Sequence, residues 1–173
     1  MSDGVERLNG ADLVRTLAAT IRENAAYLSE IDGAIGDGDH GINMKKGFDL
    51  AEERLSEETT FSEALTTVGK TLLMEIGGAM GPLYGRMFKA MGSSIDGSPE
   101  LTAGAFQKML DAAVEAVQEL GNAKPGDKTL MDTLAPARET FNGRITAGSS
   151  LEEALEAMVE AAEMGKERTF RSG

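Results

Sequence analysis

The sequence contains no cysteine and no tryptophan, and only one of its 173 residues is a histidine. Without cysteine there is no disulfide framework and no thiolate chemistry, and a single histidine argues against a transition-metal site or a Ser-His-Asp triad. Positive charge is also scarce, since 17 basic residues stand against 29 acidic ones and the net charge is -12. Nucleic acids and anionic membranes both need a basic face, so the composition excludes them as expected partners.

The N-terminus lacks the basic and then apolar pattern of a signal peptide, and no apolar run approaches the length of a membrane span. The hydrophobic fraction of 41% is that of a globular chain, and 173 residues suit one domain with its own core. We therefore expect a single domain over residues 1–173, located in the cytoplasm.

The alternation of β-branched residues that is typical of strands is nearly absent, whereas alanine, leucine, glutamate and methionine recur at helical spacing. The spacing predicts seven helices with short connections, which favours an all-α, antiparallel up-and-down bundle or barrel. Met91–Leu101 and Asn142–Ser150 are predicted to be loops. The predicted helices cover about residues 11–28, 42–55, 60–76, 82–90, 102–120, 128–141 and the segment from 150 onward.

The segment Ile31–Phe48, IDGAIGDGDHGINMKKGF, contains three aspartates, and the first four of its five glycines are interleaved with them or follow closely after them. Asp32, Asp37 and Asp39 would repel one another unless a cation lay between them, and hard cations such as Mg²⁺ or Ca²⁺ take oxygen ligands. We predict a metal-binding loop at the start of a helix; the alternative is an ordinary exposed turn, in which Gly and Asp are also common. The calcium EF-hand pattern does not fit, because Gly41 occupies its fifth position.

A second glycine-rich segment, GGAMGPLYG at Gly77–Gly85, also leads into a helix, with Pro82 near the first helical position. A glycine turn before a helix offers free backbone N–H groups to a phosphate, although a close helix–helix corner also requires small residues. A third segment, GNAKPGDKT at Gly121–Thr129, comes close to a P-loop. Asp127 interrupts that pattern and no strand precedes it, so the P-loop interpretation is rejected.

The three segments follow the first, third and fifth predicted helices, and connections in an up-and-down bundle alternate between its ends. We therefore expect all three at the same end, where they would form a metal–phosphate site for a nucleotide. Phosphoryl transfer needs mainly position and charge neutralisation, so no protein nucleophile is required, and none is evident. Residues that either add positive charge there or are solvated surface groups are Lys45, Lys46, Lys128 and Arg171.

The segments DGAIGDGDHGINM, GGAMGPLYG and KPGDKTLMDTLAPA, in this order and spacing, resemble the nucleotide-binding L subunit of dihydroxyacetone kinase. The resemblance covers nearly the whole chain and implies a barrel of eight helices, about seven of them present here. It also implies two Mg²⁺ ions between the diphosphate and Asp32, Asp37 and Asp39. The implied contacts to ADP or ATP are His40, Gly41, Ile42, Asn43, Ala79, Met80, Gly121, Leu130 and Arg171, with Gly121 and Leu130 lining the adenine pocket.

The resemblance also implies partner subunits. In family members in which L is a separate chain, ADP stays bound and the M subunit, a phosphohistidine carrier of the phosphotransferase system, recharges it to ATP. The γ-phosphoryl group then passes to dihydroxyacetone, which a separate K subunit holds. ATP-dependent relatives fuse an L-like domain to a K-like domain, for which this sequence has no room, so the phosphotransferase-coupled type is favoured.

Two features depart from the family pattern. Met80 stands where the family usually has serine, and a thioether cannot donate a hydrogen bond to phosphate, so we expect altered rather than abolished binding. The sequence ends at Gly173, where the family continues with a lid segment and an eighth helix. We expect those elements to be missing from this sequence and the nucleotide to bind weakly without them.

Two other functions fit the sequence. An L-like protein can act as a non-catalytic regulator that docks onto a transcription factor or another partner. Alternatively, a helical scaffold whose acidic loop binds calcium structurally would bind no nucleotide.

Overall fold

The computed structural model describes residues 9–171, and every regular element among them is an α-helix. The predicted all-α class and the predicted number of helices are therefore confirmed for this part of the chain. None of these helices combines the length and the apolar character needed to cross a bilayer. The helices are α1 (Gly10–Gly33), α2 (His40–Glu53), α3 (Phe61–Glu75), α4 (Met80–Ser94), α5 (Ala103–Gly121), α6 (Met131–Thr146) and α7 (Leu151–Arg171).

The helices group into two compact units, the first with α1–α4 up to Pro99 and the second with α5–α7 from Glu100. In the first unit, apolar residues at helical spacing on α1, α2 and α3 form a common core. Phe88 of α4 joins it by an edge-on contact with Phe48 of α2, at 5.7 Å between ring centroids. The buried residues of this core are Val14, Ala18, Met44, Phe48, Ala51, Ala64, Val68, Leu72 and Ile76.

The second unit has its own smaller core. Leu110 of α5, Phe141 of α6 and Ala154 of α7 are buried together. The rings of Phe106 and Phe141 pack at 4.9 Å between centroids, which joins α5 to α6. This core joins the second half of α6 to the start of α7.

The helices differ in how their N-termini are satisfied. Side chains cap α1, α3, α5 and α7, and the sequences Thr60–Glu63 and Ser150–Glu153 form both reciprocal hydrogen bonds of a capping box. By contrast, no side-chain cap is present at Asp39 before α2, Ala79 before α4 or Leu130 before α6. These three helices are the ones that follow the three glycine-containing segments. The N–H groups at such a start need partners other than the N-cap side chain, and those of His40 and Gly41 in α2 find them on α1.

Several helix boundaries differ from the sequence-based prediction. The helix α1 extends to Gly33, so Asp32 lies in its last turn rather than in the loop. Two predicted loops are partly wrong, because α4 includes residues 91–94 and α6 includes residues 142–146. The helix α5 ends at Gly121, and its C-cap is Asn122, in the left-handed region at φ 51°. Adding a turn to an existing packed helix costs little, so these ends continue past polar residues and glycine.

Candidate functional site

The structure brings Asp32, Asp37 and Asp39 together where α1 passes into α2. One carboxylate oxygen of each lies within 4.8 Å of the others, with Asp32 half-buried and the other two exposed. Oxygen atoms bound to Mg²⁺ or Ca²⁺ lie at about 2.0–2.6 Å from the ion, so two of them can be about 4–5 Å apart across it. The convergence predicted from the sequence is confirmed, and an all-carboxylate donor set fits a hard divalent cation.

Backbone hydrogen bonds fold the acidic loop around Asp32. The Asp32 carbonyl accepts the Gly36 N–H at 2.5 Å, and Asp32 Oδ2 accepts the His40 N–H at 3.3 Å. Between them, Gly38 has φ 77°, a conformation that glycine adopts without a steric penalty. The loop therefore returns to the end of the helix from which it came, and this return places the later aspartates beside Asp32.

Asn43, one turn into α2, holds the third carboxylate. Its Nδ2 donates to Asp39 Oδ2 at 2.7 Å, a charge-assisted bond that fixes the carboxylate plane. The second oxygen, Asp39 Oδ1, is left for another partner. The nucleotide contact implied for Asn43 stays a prediction, while its observed partner is a metal-ligand candidate.

The start of α4 lies next to the start of α2 in the first unit. The rings of His40 and Tyr84 meet edge to face, at 6.4 Å between centroids. Burial raises the pKa of the Tyr84 phenol, so it stays protonated at neutral pH. This contact confirms that the acidic loop and the Gly77–Gly85 turn come together, as the alternation of connections predicted.

The glycines of the second segment divide between packing and open backbone. A Cβ at Gly81 would collide with the Ile76 carbonyl, and one at Gly85 would lie 2.6 Å from Leu73 Cγ. A Cβ at Gly77 or Gly78, in contrast, would have nothing within 4 Å. The packing interpretation is therefore confirmed for the second half of the segment, and phosphate binding by its first half stays a prediction. The open first half leads directly to the uncapped start of α4.

The lysines of α2 have partners away from the carboxylate cluster. The helix begins earlier than expected, so both lie in its second turn. Lys45 Nζ forms a 2.8 Å ion pair with Asp49, and Lys46 Nζ donates to the Glu75 carbonyl at 3.5 Å, at the C-terminal end of α3. Neither lysine therefore pairs with the clustered carboxylates.

The remaining predicted contacts are placed as follows. In the first unit, Gly41 is buried and the Ile42 side chain is 65% exposed. The Met80 side chain packs against the core, so the backbone N–H of Met80 is the polar group that this residue offers to a ligand. In the second unit, Leu130 is half-buried before α6, while Gly121 and Arg171 are exposed and Arg171 donates to Glu167 at 3.4 Å. That the Gly121–Thr129 segment meets the acidic loop stays a prediction.

Sequence reasoning missed Asp132, which organises the third segment from the first turn of α6. Asp132 Oδ1 accepts the Gly126 N–H at 2.5 Å and Oδ2 accepts the Thr129 N–H at 3.0 Å. These hydrogen bonds hold the pKa of the Asp132 carboxyl below its usual range, and the one from Gly126 has the largest effect. The signal was present in the sequence, since Thr129 and Asp132 have the spacing of a capping box.

Asp132→Asn is expected to lower the melting temperature at pH 7, because an amide can accept only one of the two N–H groups. The contribution of the carboxylate is present above its unfolded pKa of about 3.9 and is lost as the pH falls through its lower folded value. Thermal melts of the wild type and the variant between pH 2.5 and 7 should therefore show a difference that shrinks below about pH 4. Asp127→Asn is the matched control, since Asp127 accepts one backbone N–H, from Lys124 at 2.8 Å. An equal difference at pH 3 and pH 7 would contradict this role.

Comparisons with known proteins show the family of the chain. A family model described as the DAK2 domain matches residues 34–172. The chain is 36% identical over 162 residues to PEP-dependent dihydroxyacetone kinase 2, ADP-binding subunit DhaL, of Listeria innocua, covering 91% of this chain and 74% of that protein. It is 38% identical over 143 residues to PTS-dependent dihydroxyacetone kinase, ADP-binding subunit DhaL, of Lactococcus lactis, covering 82% of this chain and 70% of that protein.

A solved structure has a similar fold. The dihydroxyacetone kinase from C. freundii, crystallised in complex with AMP-PNP and Mg²⁺, matches with a TM-score of 0.74. The match covers 100% of this chain and 32% of that one, at 23% sequence identity. At this identity the likeness is one of fold.

Proposed function

Because the chain belongs to the DAK2 domain family, we propose that it is the ADP- and ATP-binding subunit of a dihydroxyacetone kinase. In this role it transfers a phosphoryl group, by way of a magnesium-bound nucleotide, to dihydroxyacetone held by a partner subunit. The observation that carries the proposal is the carboxylate cluster, whose oxygens lie within 4.8 Å of one another close to the uncapped start of α4.

Different residues of the site would bind the metal ions and the phosphate groups. Asp32, Asp37 and Asp39 would hold two Mg²⁺ ions, which when bound neutralise the charge of the diphosphate. The open backbone at Gly77 and Gly78 and the first N–H groups of α4 would donate to phosphate oxygens. The hydrogen bonds from Gly36 and His40 to Asp32 support this assignment, because they hold the loop with its three carboxylates together.

The remaining nucleotide contacts follow the family resemblance. In the first turn of α2, the N–H groups of His40 and Gly41 already donate to Asp32 and Ser29. The imidazole of His40, half-buried against Tyr84, is therefore the group of that residue that would meet the nucleotide. The other proposed contacts are Gly41, Ile42, Asn43, Ala79, Met80, Gly121, Leu130 and Arg171.

The partners are proposed from the relatives. Their names describe an ADP-binding subunit of a kinase that depends on PEP or on the PTS. We propose a K subunit that holds dihydroxyacetone and an M subunit that recharges bound ADP from a phosphohistidine. The site has no evident protein nucleophile, so phosphoryl transfer would proceed by alignment and charge neutralisation.

Titration calorimetry with ADP, with and without Mg²⁺, tests the proposal. We expect ADP to bind only when Mg²⁺ is present. At an ADP concentration one hundred times Kd, binding should raise the free energy of unfolding by about 2.7 kcal/mol. In a chain of this length that corresponds to a rise in melting temperature of roughly 5–10 °C. Absence of both the heat signal and the thermal shift would rule out a nucleotide-binding subunit and favour a structural calcium site, which a Ca²⁺ titration would then reveal.

A kinase assay separates an enzyme from a regulator. The chain would be combined with purified K and M subunits, phosphorylated carrier and dihydroxyacetone, with omission of each component as the control. The proposed function predicts product that depends on this chain and on Mg²⁺. A chain that binds Mg-ADP but supports no transfer from either the carrier or ATP would instead be a non-catalytic regulator.

A further inference from the structure

Ser29 contacts the first turn of α2 from one turn before Asp32 on α1. Its Oγ accepts the Gly41 N–H at 3.1 Å. Residues three apart on a helix share a face, so Ser29 and Asp32 both point towards the start of α2. No motif in the sequence draws attention to Ser29, which is neither a carboxylate nor a glycine.

The two helices approach each other at backbone distance at this point. A Cβ at Gly41 would collide with the Ala25 carbonyl and would lie 2.8 Å from Ser29 Oγ. Gly41 is buried, so its N–H depends on a protein partner, and a buried N–H without one is costly. The Ser29 hydroxyl is that partner.

Two successive N–H groups of α2 are thus tied to α1. His40 donates to Asp32 Oδ2 at 3.3 Å, and Gly41 donates to Ser29 Oγ. A cation held by the carboxylates would compete with the His40 N–H for Asp32 Oδ2, because a carboxylate oxygen attracts a cation more strongly than a neutral hydroxyl does. The hydrogen bond from the Gly41 N–H to the neutral Ser29 hydroxyl would therefore persist when a cation binds.

We propose that Ser29 is a positioning residue for the metal–nucleotide site. It holds the first turn of α2, and with it Asp39 and Asn43, in the position that Mg-ADP requires. The inference rests on the proposed function of the carboxylate cluster. Without the hydroxyl, the first turn of α2 has to be ordered at the moment of binding, and that ordering weakens the affinity.

Calorimetric titration of Mg-ADP into Ser29→Ala, Ser29→Thr and the wild type tests this role, at a temperature well below each melting point. We expect Ser29→Ala to raise Kd about tenfold, which equals ~1.4 kcal/mol. Ser29→Thr should restore Kd to within about twofold of the wild type, because it keeps the hydroxyl acceptor. Thr20→Ala on the same helix is the control with no expected change, since its hydroxyl donates only to the Thr16 carbonyl, at 3.0 Å.

The outcomes separate the inference from the function. If the wild type binds Mg-ADP and Ser29→Ala binds it as tightly, the inference is wrong and the proposed function stands. The same conclusion follows if Ser29→Thr binds Mg-ADP as weakly as Ser29→Ala does. A wild type that does not bind Mg-ADP overturns both. If Ser29→Ala fails to fold, Ser29→Cys is measured in its place, because a thiol has a similar shape but is only a weak hydrogen-bond acceptor. An unchanged Kd for Ser29→Cys would overturn the inference.

Discussion

Asp37→Asn is expected to raise the Kd for Mg-ADP by about 100-fold or more, since even indirect partners of a metal typically contribute 10–100-fold. The substitution keeps the shape of the side chain but removes one negative charge from the three that converge within 4.8 Å. The exposed Asp37 carboxylate accepts one long hydrogen bond, from the Asp39 N–H at 3.4 Å. The melting temperature without ligand should therefore stay nearly unchanged, as for most surface substitutions.

Titration calorimetry with Mg-ADP measures this change, with Asp96→Asn as the matched control. Asp96 is also an exposed aspartate in a turn, so its substitution removes the same charge from the chain as a whole. If net charge governed affinity, both variants would respond alike. If Asp37→Asn binds Mg-ADP as tightly as the wild type does, Asp37 is not a metal ligand.

Gly41→Ala is expected to destabilise the fold by about 3 kcal/mol, at the upper end of the usual cost of overpacking. The new methyl group would collide with the Ala25 carbonyl, which is backbone and cannot move without displacing α1. For a chain of this length, the corresponding fall in melting temperature is roughly 6–12 °C. Affinity for Mg-ADP should fall as well, because the collision separates α1 from the first turn of α2.

Thermal unfolding measures this effect, and Gly143→Ala provides the control. Gly143 lies within α6, and a Cβ there would have nothing within 4 Å. Alanine at such a helical position is expected to stabilise by up to about 1 kcal/mol. The two substitutions are chemically identical and should have opposite signs, so a Gly41→Ala variant that melts like the wild type would show that α1 and α2 do not pack as described.

What the sequence determined by itself is the local part of the molecule. Helical periodicity and the absence of strand patterns led to the all-α class, and the boxes at Thr60 and Ser150 marked two helix starts, because these signals need only residues three or four positions apart. The convergence of Asp32, Asp37 and Asp39 was predictable for the same reason. Eight residues with interleaved glycines cannot carry their carboxylates far from one another.

Tertiary structure decided which partner each group meets. Asp32 belongs to α1 rather than to the loop, Lys46 contacts the end of α3, and the glycines after position 76 divide between packing and open backbone. Ser29 acquires a role only because α2 passes against α1 at Gly41. These facts depend on surfaces that are distant in the sequence, and burial and close approach between such surfaces are set by the packed core rather than by local spacing.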